Sequence, residues 1–189
     1  MRSLAEIFAV CASSGSSFTH AAIEIETSES GCSVEMLRKG MLSRLKDMEF
    51  SVNEALSGSW RGLLVPEEAY LLHEYGADAA SFSSPFVLTA ARIAIAVSTY
   101  NAAMGRIVAA PTAGSCGILP GILFSYRDHF RCDDETLLSG LFAAAAVGSV
   151  TAARATLAGA SGGCQAECGA AAAMGAAALV QMRGGSPEA

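Results

Sequence analysis

Residues 109–121 read Ala109-Ala-Pro-Thr-Ala-Gly-Ser-Cys-Gly-Ile-Leu-Pro-Gly121. Long apolar, Ala-rich segments flank this stretch on both sides, and both read as packed helices. Pro111, Gly114, Gly117, Pro120 and Gly121 stop either helix from running straight through, because proline lacks a backbone donor and glycine favours turns. The break carries a thiol and two hydroxyls, Cys116, Ser115 and Thr112. A second interruption follows at 159–169, Gly159-Ala-Ser-Gly-Gly-Cys164-Gln-Ala-Glu-Cys168-Gly169, again with thiols at its exit. No stretch alternates apolar and polar residues as a half-buried strand would. The expected fold is therefore all-α, a multi-helix domain of buried Ala/Gly-rich helices in which the two glycine-rich loops meet and hold a metal centre.

Composition supports burial on several sides. Of 189 residues, 52% are hydrophobic and 16% charged, well under the usual quarter for charge. Little charge is left to cover exposed helix faces. The net charge of −6, with no Lys/Arg cluster to neutralise phosphates, argues against nucleic acid. Thr136–Ala153 is uncharged over 18 residues, close to the length of a membrane span. Its alanines and glycines drive insertion weakly and Arg154 follows at once, so the expected reading is a buried helix without a membrane. An Ala/Gly-rich membrane protein is the competing reading. At the N-terminus, Glu6 interrupts any short apolar region, and Phe8-Ala-Val-Cys11 lacks the small residue expected before a lipidated cysteine. A cytoplasmic, reducing location is expected, where six cysteines point to metal or catalytic use rather than disulfides.

Along the chain, residues 1–60 read as an N-terminal helical region and 61–189 as the domain carrying both loops. A helix is expected over Ser3–Ala12, a Ser/Gly turn at 13–17 and a loop at Thr27–Gly31. Ser33 is placed to cap a helix whose stripe is Val34, Leu37, Met41, Leu45, Met48, Val52 and Leu56, ending at Gly58. Cys32 reads as an incidental thiol and Cys11 as a small packed apolar residue. Pro66 fits the first turn of a helix that contains His73, and Ser81-Phe-Ser-Ser-Pro85 starts another, with Ile93 and Val97 inward. Helices are expected over Gly121–Arg131, Thr136–Ala158 and Gln165–Met182. Cys132 sits among acids, which disfavour a thiolate. His129, at a helix C-terminus, reads as structural.

Cys164 and Cys168 are four residues apart, which on a helix puts both sulfurs on one face. Gly162 and Gly163 set them in the first turns, where free N–H groups and the helix dipole favour thiolates. Cys116 sits just ahead of a helix start in the same way. The spacing alone equally allows two small core residues. If Cys116, Cys164 and Cys168 act together, structural zinc is disfavoured, since it wants four closed ligands. An iron–sulfur cluster on three thiolates leaves one iron open as a Lewis acid.

The segments Asn101-Ala-Ala-Met-Gly-Arg-Ile-Val-Ala-Ala-Pro-Thr-Ala-Gly-Ser-Cys-Gly-Ile-Leu-Pro-Gly121 and Gly162-Gly-Cys-Gln-Ala-Glu-Cys-Gly169 resemble the iron–sulfur-dependent L-serine dehydratases, specifically the α chain of the two-subunit form. The resemblance covers roughly 85–187 well and the N-terminal third loosely. It implies a PLP-independent lyase that converts L-serine to pyruvate and ammonia, with a [4Fe-4S] cluster on Cys116, Cys164 and Cys168. It also implies a β chain as partner and an oligomer. Thr112 and Ser115, with the N–H groups of Ala113 and Gly114, are expected to hold the substrate carboxylate. Glu167 and His73 are the candidates for removing the α-proton.

Three departures from the family pattern stand out. Members continue beyond Gly184-Gly-Ser-Pro187 into a further cysteine-bearing motif, so this chain is expected to be shortened at its C-terminus. Where the pattern reads Asn-x-Ser-x-Ser-Gly-Ala, this chain has Arg154-Ala-Thr-Leu-Ala-Gly-Ala160. The glycine-rich loop near position 62 reads Arg61-Gly-Leu-Leu-Val65. These features leave an alternative, a catalytically inactive or incomplete cluster-binding scaffold subunit that needs a β chain.

Overall fold

The computed structural model describes residues 1, 3–60 and 83–189. They form seven α-helices: α1 (Leu4–Ser14), α2 (Phe18–Ser30), α3 (Val34–Ser57), α4 (Pro85–Ala102), α5 (Ile118–Phe130), α6 (Asp134–Arg154) and α7 (Gly159–Met182). One 3₁₀ turn, Ala113–Ser115, lies between α4 and α5. No strand occurs among the described residues, so the fold is all-α as the periodicity predicts. The expected helix around His73 and the loop Arg61–Val65 lie outside the described residues.

Local chemistry sets most of the boundaries. The side chains of Ser3, Ser17, Ser33, Ser84 and Asp133 each accept the N–H three residues on, Glu6, His20, Met36, Val87 and Thr136 in turn. Each such cap contributes about 1 kcal/mol by satisfying a donor the helix cannot. Pro85 follows Ser84 at the first helical position, where its missing N–H costs nothing.

Several boundaries differ from the sequence expectation, three of them informatively. Thr27–Ser30 is helical rather than a loop, because Ala21, Ala22, Ile23 and Ile25 bury one face of α2 and the polar end simply continues until Gly31. Gly31 has φ 71°, the left-handed conformation that ends a helix at little cost to glycine. Helix α5 begins at Ile118, three residues ahead of the expected Gly121, since Pro120 is tolerated within a first turn. Helix α6 stops at Arg154 rather than Ala158.

Helix α6 is the centre of the bundle. It packs along α7 and against α2 and α3, and it is the described helix that by length and composition could cross a membrane. Here 56% of its apolar window is covered by protein, as befits a core helix. Its contact with α7 is made by small residues: Ala143, Ala144, Ala171 and Ala178 are each 0% exposed. A Cβ added at Gly140 would lie 2.7 Å from Met182 Cγ, so the methionine occupies the room that glycine leaves. The helices α1 and α2 close a second apolar cluster, in which Ile7, Cys11 and Ile25 meet Ala146 and Val150 of α6. On α3, Leu45, Met48, Val52 and Ala55 enter the main core. Val34 and Leu56, at the two ends of the expected stripe, are exposed, and at the C-terminal end Ala55 takes the inward place beside Leu56.

The glycines at the start of α5 let it approach α4 closely. A Cβ on Gly117 would overlap the Ala94 carbonyl oxygen, and one on Gly121 would lie 2.7 Å from the Ala90 carbonyl oxygen. The first turn of α5 therefore rests on the backbone of α4. Ion pairs tie α3 to the neighbouring helices, Arg127 to Glu49 and Lys46 to Asp134, each at 2.7 Å. Burial pushes the Glu49 carboxyl up, but the hydrogen bond and charge of Arg127, with the charge of Lys46, outweigh it and leave the group below its ordinary value.

Candidate active site

The two helix breaks touch each other. After α4 the chain passes through residues 103–109 and a cis Ala110–Pro111 peptide into the Ala113–Ser115 turn, which packs against α7. Asn101, at the end of α4, donates its side-chain amide to the Ala113 carbonyl at 3.0 Å. Thr112 Oγ1 and Ser115 Oγ lie 3.2 Å apart, and the Thr112 hydroxyl donates to the Glu167 carboxylate. Ser115 is buried at 1% exposure, whereas Ala113 and Gly114 lie at the surface. The first N–H groups of such a turn have no partner within it, so Ala113 and Gly114 are where this turn offers backbone donors.

Glu167 sits in a slot made by glycine. A Cβ on Gly114 would lie 2.6 Å from Glu167 Oε2, and one on Gly159 would overlap Oε1. One carboxylate thus joins the first break, through Thr112 and Gly114, to the start of α7, through Gly159. Of the residues expected at the site, Thr112, Gly114, Ser115 and Glu167 are brought together. Asn101 and Gly159 belong with them, although neither shows a periodic signal in the sequence. His73 lies outside the described residues.

The second break is narrower than the glycines at 159–163 suggest. Residues 159–162 are already helical, and only Gly163 departs, with φ 71° and ψ 178°. This single kink restarts the helix at Cys164. The Cys164 and Cys168 sulfurs lie 3.6 Å apart on the face that i, i+4 spacing predicts. Cys164 is exposed and Cys168 half-buried, so the pair is not part of the Ala-rich core. Cys116 is 1% exposed at the entry to α5. Among the described residues no three His, Cys, Asp or Glu side chains are grouped closely enough to hold a metal ion.

The thiols are less acidic than their positions at helix starts imply. Burial pushes Cys116 up to about 11, and the sulfur of Cys164, followed by burial, pushes Cys168 up. Desolvation and a like neighbour outweigh the helix dipole in the metal-free chain. As donors, three thiols suit a soft, thiolate-held group such as an iron–sulfur cluster, and a bound metal would itself supply the charge that ionises them. The donor set fits that group in its chemistry, with two sulfurs already adjacent and the third, Cys116, directly following the turn that Glu167 holds.

The described residues thus form a helical subunit fold in which paired thiols adjoin a glycine turn that carries hydroxyl groups and offers backbone N–H donors. The chain matches the serine dehydratase alpha chain family over residues 12–189 and belongs to it. It is 44% identical over 146 residues to the probable L-serine dehydratase, alpha chain, of Bacillus subtilis (strain 168), covering 76% of this chain and 48% of the relative. It is 38% identical over 185 residues to the L-serine dehydratase, alpha chain, of Peptoniphilus asaccharolyticus, covering 97% and 63%. Against L-serine dehydratase TdcG of Escherichia coli (strain K12) it is 46% identical over 96 residues, 50% of this chain and 21% of that protein. The chain thus spans from about half to under two thirds of the α-chain relatives' own length. No solved structure matches it.

Proposed function

We propose that this chain supplies the cluster-binding part of an L-serine ammonia-lyase that works together with a β chain. The observation that carries the reading is the contact between the two breaks, which sets the Thr112–Ser115 turn beside the helix start bearing Cys164 and Cys168, in a chain of the serine dehydratase alpha family. Cys116, Cys164 and Cys168 would hold a [4Fe-4S] cluster, which when bound supplies an open iron to act as Lewis acid on the departing hydroxyl.

The chain's own residues do the rest. The Ala113 and Gly114 N–H groups, with the Ser115 hydroxyl, hold the carboxylate of L-serine in the turn, while Thr112 keeps its one O–H on Glu167. Holding it there fixes the Cα–H and the β-hydroxyl relative to the thiol-bearing helix start, which is the proximity contribution to the rate. A base takes the α-proton as the β-hydroxyl leaves, His73 and Glu167 being the two candidates. The aminoacrylate so released takes up water and gives pyruvate and ammonia, so the net change is serine to pyruvate plus ammonia.

The test is anaerobic reconstitution of the chain, co-expressed with a β chain, with iron and sulfide. Broad visible absorbance that oxygen bleaches is the expected result, and Cys164→Ala should abolish it. Absorbance retained in Cys164→Ala removes the ligand assignment. Full iron content without pyruvate from L-serine would favour a scaffold subunit, in keeping with the loss of polar side chains in Arg154–Ala160.

A further inference from the structure

The Glu167 carboxylate has more built around it than a proton-abstracting group needs. One oxygen receives the Thr112 hydroxyl and lies over Gly114; the other lies over Gly159. The two glycines come from opposite sides of the gap, one from the turn before α5 and one from the first turn of α7. Neither position could carry a side chain without displacing the carboxylate. The turn is held from its other side by Asn101, which donates to the Ala113 carbonyl. Cys116 follows this turn directly and is 1% exposed.

We propose that Glu167 is a positioning residue, a latch whose carboxylate joins the Ala113–Ser115 turn to the start of α7 through Thr112, in a slot that Gly114 and Gly159 leave open. It acts through the turn, by seating Cys116 within reach of the Cys164 and Cys168 segment. A carboxylate that takes the Thr112 hydroxyl on one oxygen and fills the space over Gly159 with the other is committed to that joint, and the α-proton is left to another group. The inference builds on the proposed cluster site, but the contacts that carry it are those of the metal-free chain.

Site-resolved alkylation of the metal-free full-length chain with iodoacetamide, read by peptide mass spectrometry, tests the latch without any turnover. Breaking a hydrogen bond to a charged acceptor should raise local opening, so Glu167→Ala should speed labelling of Cys116 by about tenfold to a hundredfold. Cys11 is buried in the separate α1–α2–α6 cluster and should label at the unchanged rate, which separates local opening from general loss of stability. Glu167→Gln keeps both the length and an acceptor for Thr112 and should restore slow labelling. Gly114→Ala should reproduce Glu167→Ala, and combining the two should add little, as expected of residues in one contact. An unchanged Cys116 rate in Glu167→Ala overturns the latch. So does a Cys11 rate that rises in step, or a Glu167→Gln variant that labels as fast as Glu167→Ala. Absence of pyruvate formation with normal labelling results would count against the proposed reaction while leaving the latch standing.

Discussion

Gly117 is the position at which the fold and the site constrain each other most tightly. It follows Cys116 directly and has helical φ and ψ of −83° and −22°, so alanine would suit the backbone, but as the N-cap of α5 the position offers it no interior helix propensity to gain. The added methyl group would overlap the Ala94 carbonyl oxygen and lie 2.8 Å from Ser98 Oγ and 2.9 Å from the Ala94 carbonyl carbon. Ser98 can rotate aside; the α4 backbone cannot. The two helices must separate, and overpacking of this kind costs about 3 kcal/mol at the upper end of its usual range. The expected loss for Gly117→Ala is therefore about 3 kcal/mol, or about 6–12 °C in Tm for a chain of this size. Gly40 is the control: it lies within α3 with nothing within 4 Å of an added Cβ. Gly40→Ala should therefore stabilise by about 0.5–1 kcal/mol. Thermal and urea unfolding followed by far-ultraviolet circular dichroism measure both. A Gly117→Ala variant as stable as the parent would refute the backbone contact between α4 and α5.

Two further outcomes follow from single residues. Met104 is 92% exposed with φ 66°, a conformation that costs a side-chain-bearing residue about 1–2 kcal/mol. After glycine's extra unfolded-state entropy is deducted, Met104→Gly should raise stability in urea melts by about 0.5 kcal/mol; a loss would show that the methionine makes a contact worth more than its strain. The Glu49 carboxyl lies below its ordinary 4.5 in the folded chain, so its contribution is fully present above that pH and is lost as pH falls through the folded value. The parent should accordingly lose stability below pH 4.5 more steeply than Glu49→Gln in a series of urea melts. Equal slopes would show that the Arg127 pair contributes nothing to acid unfolding.

Much of the fold is legible because it rests on local chemistry. Ser33 and Ser84 announce helix starts, Gly58 announces a stop, and a stripe at steps of three and four places Leu45, Met48 and Val52 in the core. What local chemistry does not reveal is how far a helix runs once tertiary burial supports it. Thr27–Ser30 carries no apolar periodicity and stays helical only because Ala21, Ala22 and Ile25 anchor the turns before it. The glycines at 159–163 read as one long loop, yet only Gly163 leaves the helical region; Gly159 is small because the Glu167 carboxylate lies against it, a contact across the Gly163 kink that no periodic pattern signals. At the site, the residue types in the turn and the i, i+4 thiols could be picked out in advance. Their contact through Thr112 and Glu167 could not, since a hydrogen bond across 55 positions leaves no pattern in the sequence. The raised value of Cys116 is not legible for a related reason: dipole arguments see the helix start, whereas burial of Cys116 depends on elements distant in sequence packing over it.

The most direct measurement is the yield of pyruvate and ammonia from L-serine by the anaerobically reconstituted chain co-expressed with a β chain, with iron and sulfide determined on the same sample. Equimolar pyruvate and ammonia, rising with bound iron and absent in Cys116→Ser, is the predicted result. Turnover of serine by iron-free complex, or undiminished turnover in Cys116→Ser, would contradict the assignment of this chain as the thiolate-bearing half of the enzyme.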